Sequence, residues 1–249
     1  MTKYLRAYGI ALQETLQRRS TLLMDRIGGF AVVLSLYSFW NVLLGTKTSF
    51  LGYTRPEMLT YVLIISVLRS FVFTGRGWLL VGEISSGRIS SYLVRPLSYH
   101  GYAFLEIGLL VFIARGGVFV PRDPAAWALF AAAALIASLI FFFLEFAVST
   151  LAFWTSESGG PLFCFELFLQ FAAGAFFPLD VLPESLRRLL SATPFPYMVY
   201  FPARVLLQKI APAEALRMLG VETAWLAAAA AVAYASWYRG LRVYAAEGG

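Results

Sequence analysis

Long apolar runs decide what this chain can fold into. About 20 apolar residues are enough for a helix to cross the hydrocarbon layer of a membrane, and residues 125–153 exceed that length on their own. Further runs at about 27–44, 56–73, 102–120, 161–177 and 221–238 are separated by short charged links. In lipid every backbone polar group must be satisfied within the protein, which leaves helices or a closed barrel. The runs do not alternate polar with apolar residues, so a barrel is excluded. The expected fold is all-α: a polytopic membrane protein with six transmembrane helices, forming one transmembrane domain over residues 1–249. Composition agrees, since 59% of residues are hydrophobic and only 14% charged, against roughly 25% charged in soluble domains. The 125–153 run is longer than a membrane requires and should tilt or project.

The same composition excludes several kinds of chemistry. Cys164 is the lone cysteine and His100 the lone histidine, so neither a disulfide framework nor a Cys/His metal cluster is expected. The formal net charge of +6 points to anionic lipid rather than to nucleic acid, because no charged soluble module accompanies it. No phosphate-binding loop, nucleophile elbow or zinc helix is present. The chain is expected to bind no cofactor and to be unable to hydrolyse ATP unaided.

Ahead of the first run, Leu5, Tyr8, Leu12 and Leu16 recur at helical spacing, with Lys3, Arg6, Gln13, Glu14, Gln17 and Arg18 on the other face. This reads as an amphipathic interfacial helix over residues 1–20. Positive charges mark the sidedness. Lys3, Arg6, Arg18, Arg19 and Arg26, then Arg76, Arg88 and Arg95, then Arg239 and Arg242 fall on one side of a six-span arrangement. That side is assigned as cytoplasmic, which places both termini there. Arg187, Arg188, Arg204, Lys209 and Arg217 lie on the opposite side, so the bias is modest. Trp40, Trp78, Trp127, Trp154, Trp225 and Trp237 fall near the expected span ends, where an aromatic belt belongs.

Three constellations could carry function. In the link over residues 76–100, Ile89, Tyr92 and Leu93 lie at helical spacing between Gly87 and Pro96. This is a short cytoplasmic helix suited to docking in a groove on a soluble partner, or to resting at the interface. Between spans five and six, residues 178–220 are too broken for a span and too apolar for free water. Pro178, Pro183, Pro194, Pro196 and Pro202 cut the stretch into short pieces. Half-helices dipping back into the outer leaflet fit it, and such a cap would close the outer end of a pathway. Glu145 and Glu166 are the deeper of the ionisable residues in or near spans, the others being Arg69 and Glu106. Intramembrane carboxylates are costly and suggest function. These two would belong to a polar pathway or bond to neighbouring helices.

The segments EISSGRISSYLVRPLSY, FFPLDVLPESLRRLLSATPFPYMVYFPARVLL and the closing RGLRVYAAEGG together resemble the type-2 ATP-binding-cassette exporter permeases of the bacterial inner membrane. Closest is their subgroup of six-span chains of about this size. The likeness runs in order along essentially the whole chain. It implies a permease subunit with the N-terminal helix at the membrane surface. The coupling helix would be residues 87–96, including Gly87, Arg88, Ile89, Tyr92, Leu93 and Pro96, with Glu83 at its approach. Residues 183–210 would form the re-entrant outer helices. The implied partners are ATPase subunits carrying ATP and Mg, and a second permease, identical or related. The implied activity is export by alternating access, and amphipathic or lipid-like cargo suits the apolar spans. Two other readings stand beside it. An ion-coupled carrier would use Glu145 and Glu166 as proton sites, but the broken helices and paired repeats common in such carriers are missing. A membrane enzyme acting on lipid would have His100 and only scattered carboxylates to work with.

Overall fold

Helices account for most of the described backbone. The structure, a computed structural model, describes residues 19–45, 49–50, 52–73, 77–85, 119–155 and 159–243. The expected interfacial helix up to residue 18, most of the expected third span, and the expected coupling helix at 87–96 lie outside the described residues. The chain divides into two compact units, residues 1–70 with 90–119 and residues 71–89 with 120–249.

In the first unit, α1 (Arg19–Leu43) leads through a hairpin, β1 (Ser49–Phe50) and β2 (Tyr53–Thr54), into α2 (Arg55–Val72). Gly52 makes the hairpin turn at φ +81°, a region that side chains with a Cβ disfavour. Thr54 then starts α2 with a capping box. Its backbone N–H and hydroxyl both donate to Glu57 Oε2, at 2.7 and 2.9 Å. The α2 side chains are buried around the whole circumference, Met58, Tyr61, Val62, Ile65 and Leu68 among them, as an all-round apolar helix requires. Its buried Thr60 is satisfied by donating to Pro56 O and accepting from the Phe119 N–H at 2.7 Å.

The second unit is built on two long helices, α4 (Pro124–Ser149), continued by a 3-10 turn (Thr150–Phe153), and α9 (Pro212–Val243). Asp123 caps α4 by accepting from the Ala125 N–H at 2.9 Å, with Pro124 in the first turn. At 26 and 32 residues the two helices are roughly 39 and 48 Å long, ample for a layer of about 30 Å. Only 22% and 17% of their most apolar stretches are buried within the chain. Apolar surface on that scale calls for lipid or a partner rather than water.

These helices run in the same direction. Ala215, near the start of α9, shares a cluster with Ala133 and is packed near Leu129. At the other end Trp237 stacks on Phe146 and Phe153, at 5.4 and 5.5 Å between ring centroids. The buried positions of α9 are Ala215, Glu222, Ala229, Ala233 and Gly240. Those of α4 include Ala126, Ala133 and Ala137. Small residues let the backbones approach closely. A Cβ placed on Gly240 would collide with the Phe153 ring.

Two parallel helices require a return between them. It begins with α5 (Gly159–Ala172), whose 14 residues reach only about 21 Å. Shorter pieces complete it: a 3-10 turn (Leu179–Val181), α6 (Glu184–Ser191), α7 (Phe195–Met198) and α8 (Tyr200–Leu206). Several boundaries differ from the sequence reading: α1 already begins at Arg19 rather than near residue 27, and α9 runs on to Val243 rather than 238. The fifth helix stops at Ala172 rather than near residue 177, because Gly174 turns the chain at φ +81°. Its N–H donates to Phe171 O and that of Ala175 to Gln170 O, which closes a Schellman motif. The last helix starts at Pro212 rather than near residue 221, so residues 212–220 belong to it and not to the broken stretch. Proline at the first helical position has its φ already set and loses no hydrogen bond. Finally, α3 (Gly77–Ser85) packs against α4 and α5.

Gly240→Ala should lower the stability of the purified protein by about 1–3 kcal/mol through overpacking. Thermal unfolding in detergent reads the loss. A Phe153→Ala, Gly240→Ala double variant should recover part of it, since the two residues share one contact.

Candidate functional site

Three polar features of the second unit sit where apolar packing would otherwise be expected. The first is the start of α3. Gly77 lies so close to α4 that a Cβ there would come within 2.6 Å of Ser149 Oγ and 2.7 Å of Glu145 Cγ. Glu145 is 1% exposed, and its carbonyl accepts from Ser149 Oγ at 2.7 Å. The next residue, Trp78, donates from Nε1 to Glu166 Oε1 of α5 at 2.8 Å. Gly159, at the start of α5, faces the same indole ring. Glu145 and Glu166 therefore border the first turn of α3, where free N–H groups and the helix dipole favour carboxylates. Trp78, read from sequence as an aromatic-belt residue, also links α3 to α5.

The second feature lies among the short helices. Pro183 and Pro194 occupy the N-caps of α6 and α7, and Pro196 and Pro202 the first turns of α7 and α8. Pro178 precedes the 3-10 turn. Each proline thus starts a piece rather than ending one, as its fixed φ and missing N–H dictate. The pieces are pinned together by polar contacts. The Tyr200 hydroxyl donates to Asp180 Oδ1 at 2.6 Å and accepts from Arg204 Nη1 at 3.2 Å. Arg204 also donates from Nη2 to the Lys209 carbonyl at 3.3 Å, and its guanidinium lies 5.3 Å from the Tyr200 ring centroid. Glu184 pairs with Arg187 and with Arg188 on α6. The Tyr200 N–H donates to Ala173 O at 3.0 Å, which ties α8 to the end of α5.

The third feature is Glu222. It is buried on α9 beneath these short helices and is absent from the sequence-based candidates. It is the second residue of the run expected to begin at 221. With α9 starting at Pro212 it lies well inside the helix. A cavity of about 290 Å³ opens nearby, between the first turns of α4 and α9, lined by Asp123, Leu129, Val205, Lys209 and Ala215 among others. Gln208, also on its wall, holds φ +55° at the C-terminal turn of α8, a position glycine normally takes. Among the described residues no group of three His, Cys, Asp or Glu side chains could hold a metal ion.

Of the expected coupling residues, only Glu83 falls within a described helix, α3. Gly87, Arg88, Ile89, Tyr92, Leu93 and Pro96 lie outside the described residues.

Long apolar helices left largely uncovered, joined at carboxylate-bearing contacts, define an integral membrane protein of the helical class. The chain belongs to the ABC-2 transporter family: residues 30–248 match the ABC-2 family transporter proteins. It is thus the membrane permease component of an ABC transporter, a transport component and not itself catalytic, and the family implies association with ABC ATPase subunits. Neither the comparison with curated proteins nor that with solved structures gave a match.

Three substitutions test these contacts. Trp78→Phe keeps the ring but removes the donor to Glu166, and should cost about 1 kcal/mol. Gly77→Ala, which forces Glu145 and Ser149 aside, should cost more, and detergent-phase thermal unfolding ranks the pair. Tyr200→Phe should lose about 1–3 kcal/mol, since its hydroxyl bonds to a carboxylate.

Proposed function

We propose that this chain is a six-span permease half of an ATP-driven exporter in the bacterial inner membrane, with both termini in the cytoplasm. The spans are α1, α2, the run at 102–120, α4, α5 continued by the short helices, and α9. The single observation that carries this reading is the parallel pairing of α4 with α9 around a half-length α5. Parallel neighbours joined by one return start on the same face of the membrane, as spans four and six of a six-span chain would.

In this reading residues 87–96 dock on an ATPase subunit that holds ATP and Mg. Closure of the ATPase dimer pulls on the docked segment, and α3, gripped by Glu145 and by the Trp78–Glu166 bond, carries the pull into α4 and α5. The short helices begun by Pro178, Pro183, Pro194, Pro196 and Pro202 are the outer gate. The transport cycle is alternating access, with cargo leaving between two permease halves, the second being identical or a related chain. An amphipathic or lipid-like cargo suits the apolar lipid-facing helices.

Co-purification with ABC ATPase subunits tests the reading. A stable complex is expected, with export in sealed vesicles that stops on ATP depletion. Arg88→Glu, together with replacement of Gly87 and Pro96, should uncouple ATP hydrolysis from export while the membrane domain still folds. Export that persists without ATP but collapses with a protonophore would replace this reading with the ion-coupled carrier.

A further inference from the structure

Glu222 is 0% exposed, and neither carboxylate oxygen meets a hydrogen-bond partner. Met218 and Trp225, a turn to either side on the same helical face, pack against the cluster of Ala133, Tyr197, Phe201, Val205 and Ala215. The polar groups around it are few. On α7, Tyr197 lies within electrostatic reach of both Glu222 and Arg217. Arg217 itself is 77% exposed and 3.8 Å from Glu214. On α8, Tyr200 and Arg204 are engaged with Asp180 and with the Lys209 carbonyl. The packed length of α4 carries no ionisable residue between Asp123 and Glu145.

A buried, unpaired, ionised carboxylate costs more than the whole stability margin of a folded chain, whereas the neutral acid costs far less. An ammonium group or a metal ion could neutralise the charge only if it had room, and the nearby cavity reaches Ala215 but not Glu222. A proton is the cation that fits the space.

We propose that Glu222 is a proton-binding site: it holds a proton while α7 and α8 cover it and releases that proton to water when they move away. Covering favours the acid and water favours the carboxylate, so the packing of the short helices over α9 weakens as pH rises. The inference needs only the packing of this unit and is independent of the direction of transport.

Wild type and Glu222→Gln, each as the complete permease with its ATPase, are compared by thermal unfolding from about pH 5 to about pH 9. Glutamine keeps the shape without the ionisation. The wild-type midpoint should fall relative to that of the variant as pH rises. Parallel profiles, or a variant that is weaker by the same margin at every pH, would overturn the proposal. If the glutamine variant does not assemble, infrared spectroscopy of the wild type labelled with carbon-13 glutamate supplies the second readout, with Glu222→Leu as its reference. A protonated-carboxyl band at neutral pH that is missing from the reference is expected, and its absence from the wild type would sink the idea.

Discussion

The close parallel contact between α4 and α9 is the constraint on which the rest of the second unit depends. Lipid offers no hydrophobic drive to bring helices together, so association rests on packing and on polar contacts. Ala215, Ala229, Ala233 and Gly240 on one helix, and Ala126, Ala133 and Ala137 on the other, supply the packing. Phe146, Phe153 and Trp237 close one end of the pair with aromatic contacts. A larger residue on the Gly240 stripe would drive the helices apart where the Phe153 ring now lies.

Parallel pairing dictates the return path, and the return path explains the broken stretch. The Schellman turn at Gly174 ends α5 after roughly 21 Å, about two-thirds of the thickness of a typical hydrocarbon layer. Backbone left buried there must be satisfied by protein. The Ala173 carbonyl finds the Tyr200 N–H, and Tyr197 and Phe201 fill the space beside Ala133. The apolar sequence around Pro196 and Pro202 is then the lining of a site against α4, which accounts for its being too greasy for a loop. Among its polar side chains, Asp180, Tyr200 and Arg204 bond to one another.

The helical class and most of the long apolar elements were legible in the sequence, because lipid leaves so few choices for an apolar run. The stops and starts that matter were also written there, in weaker signs. Gly174 within AAGAFFP and Pro212 within IAPAEAL are a helix end and a helix start. Apolar content on both sides of Gly174, and the charges at Glu214 and Arg217, hid them from a reading based on hydropathy. Contacts between distant residues left no such sign. Trp78 with Glu166 and Asp180 with Tyr200 are joined only by the fold. Gly77 has no local reason to be glycine until Glu145 and Ser149 are set beside it.

Glu222 is the exception on the stripe that holds the unit together. It occupies the position seven residues after Ala215 and seven before Ala229, where alanine would pack at no cost. A polar group placed in an otherwise apolar seam weakens it, and in coiled coils such a group is retained where it selects one arrangement over its neighbours. Here the seam is contacted from two sides, by α4 along its length and by the short helices near Tyr197. The α4 side is fixed by small residues and a ring contact that tolerate little movement. The other side is made of four-residue and seven-residue helices, Phe195–Met198 and Tyr200–Leu206. An acid under the second side makes the adjustable contact, rather than the rigid one, the part of the unit whose strength depends on water and protons.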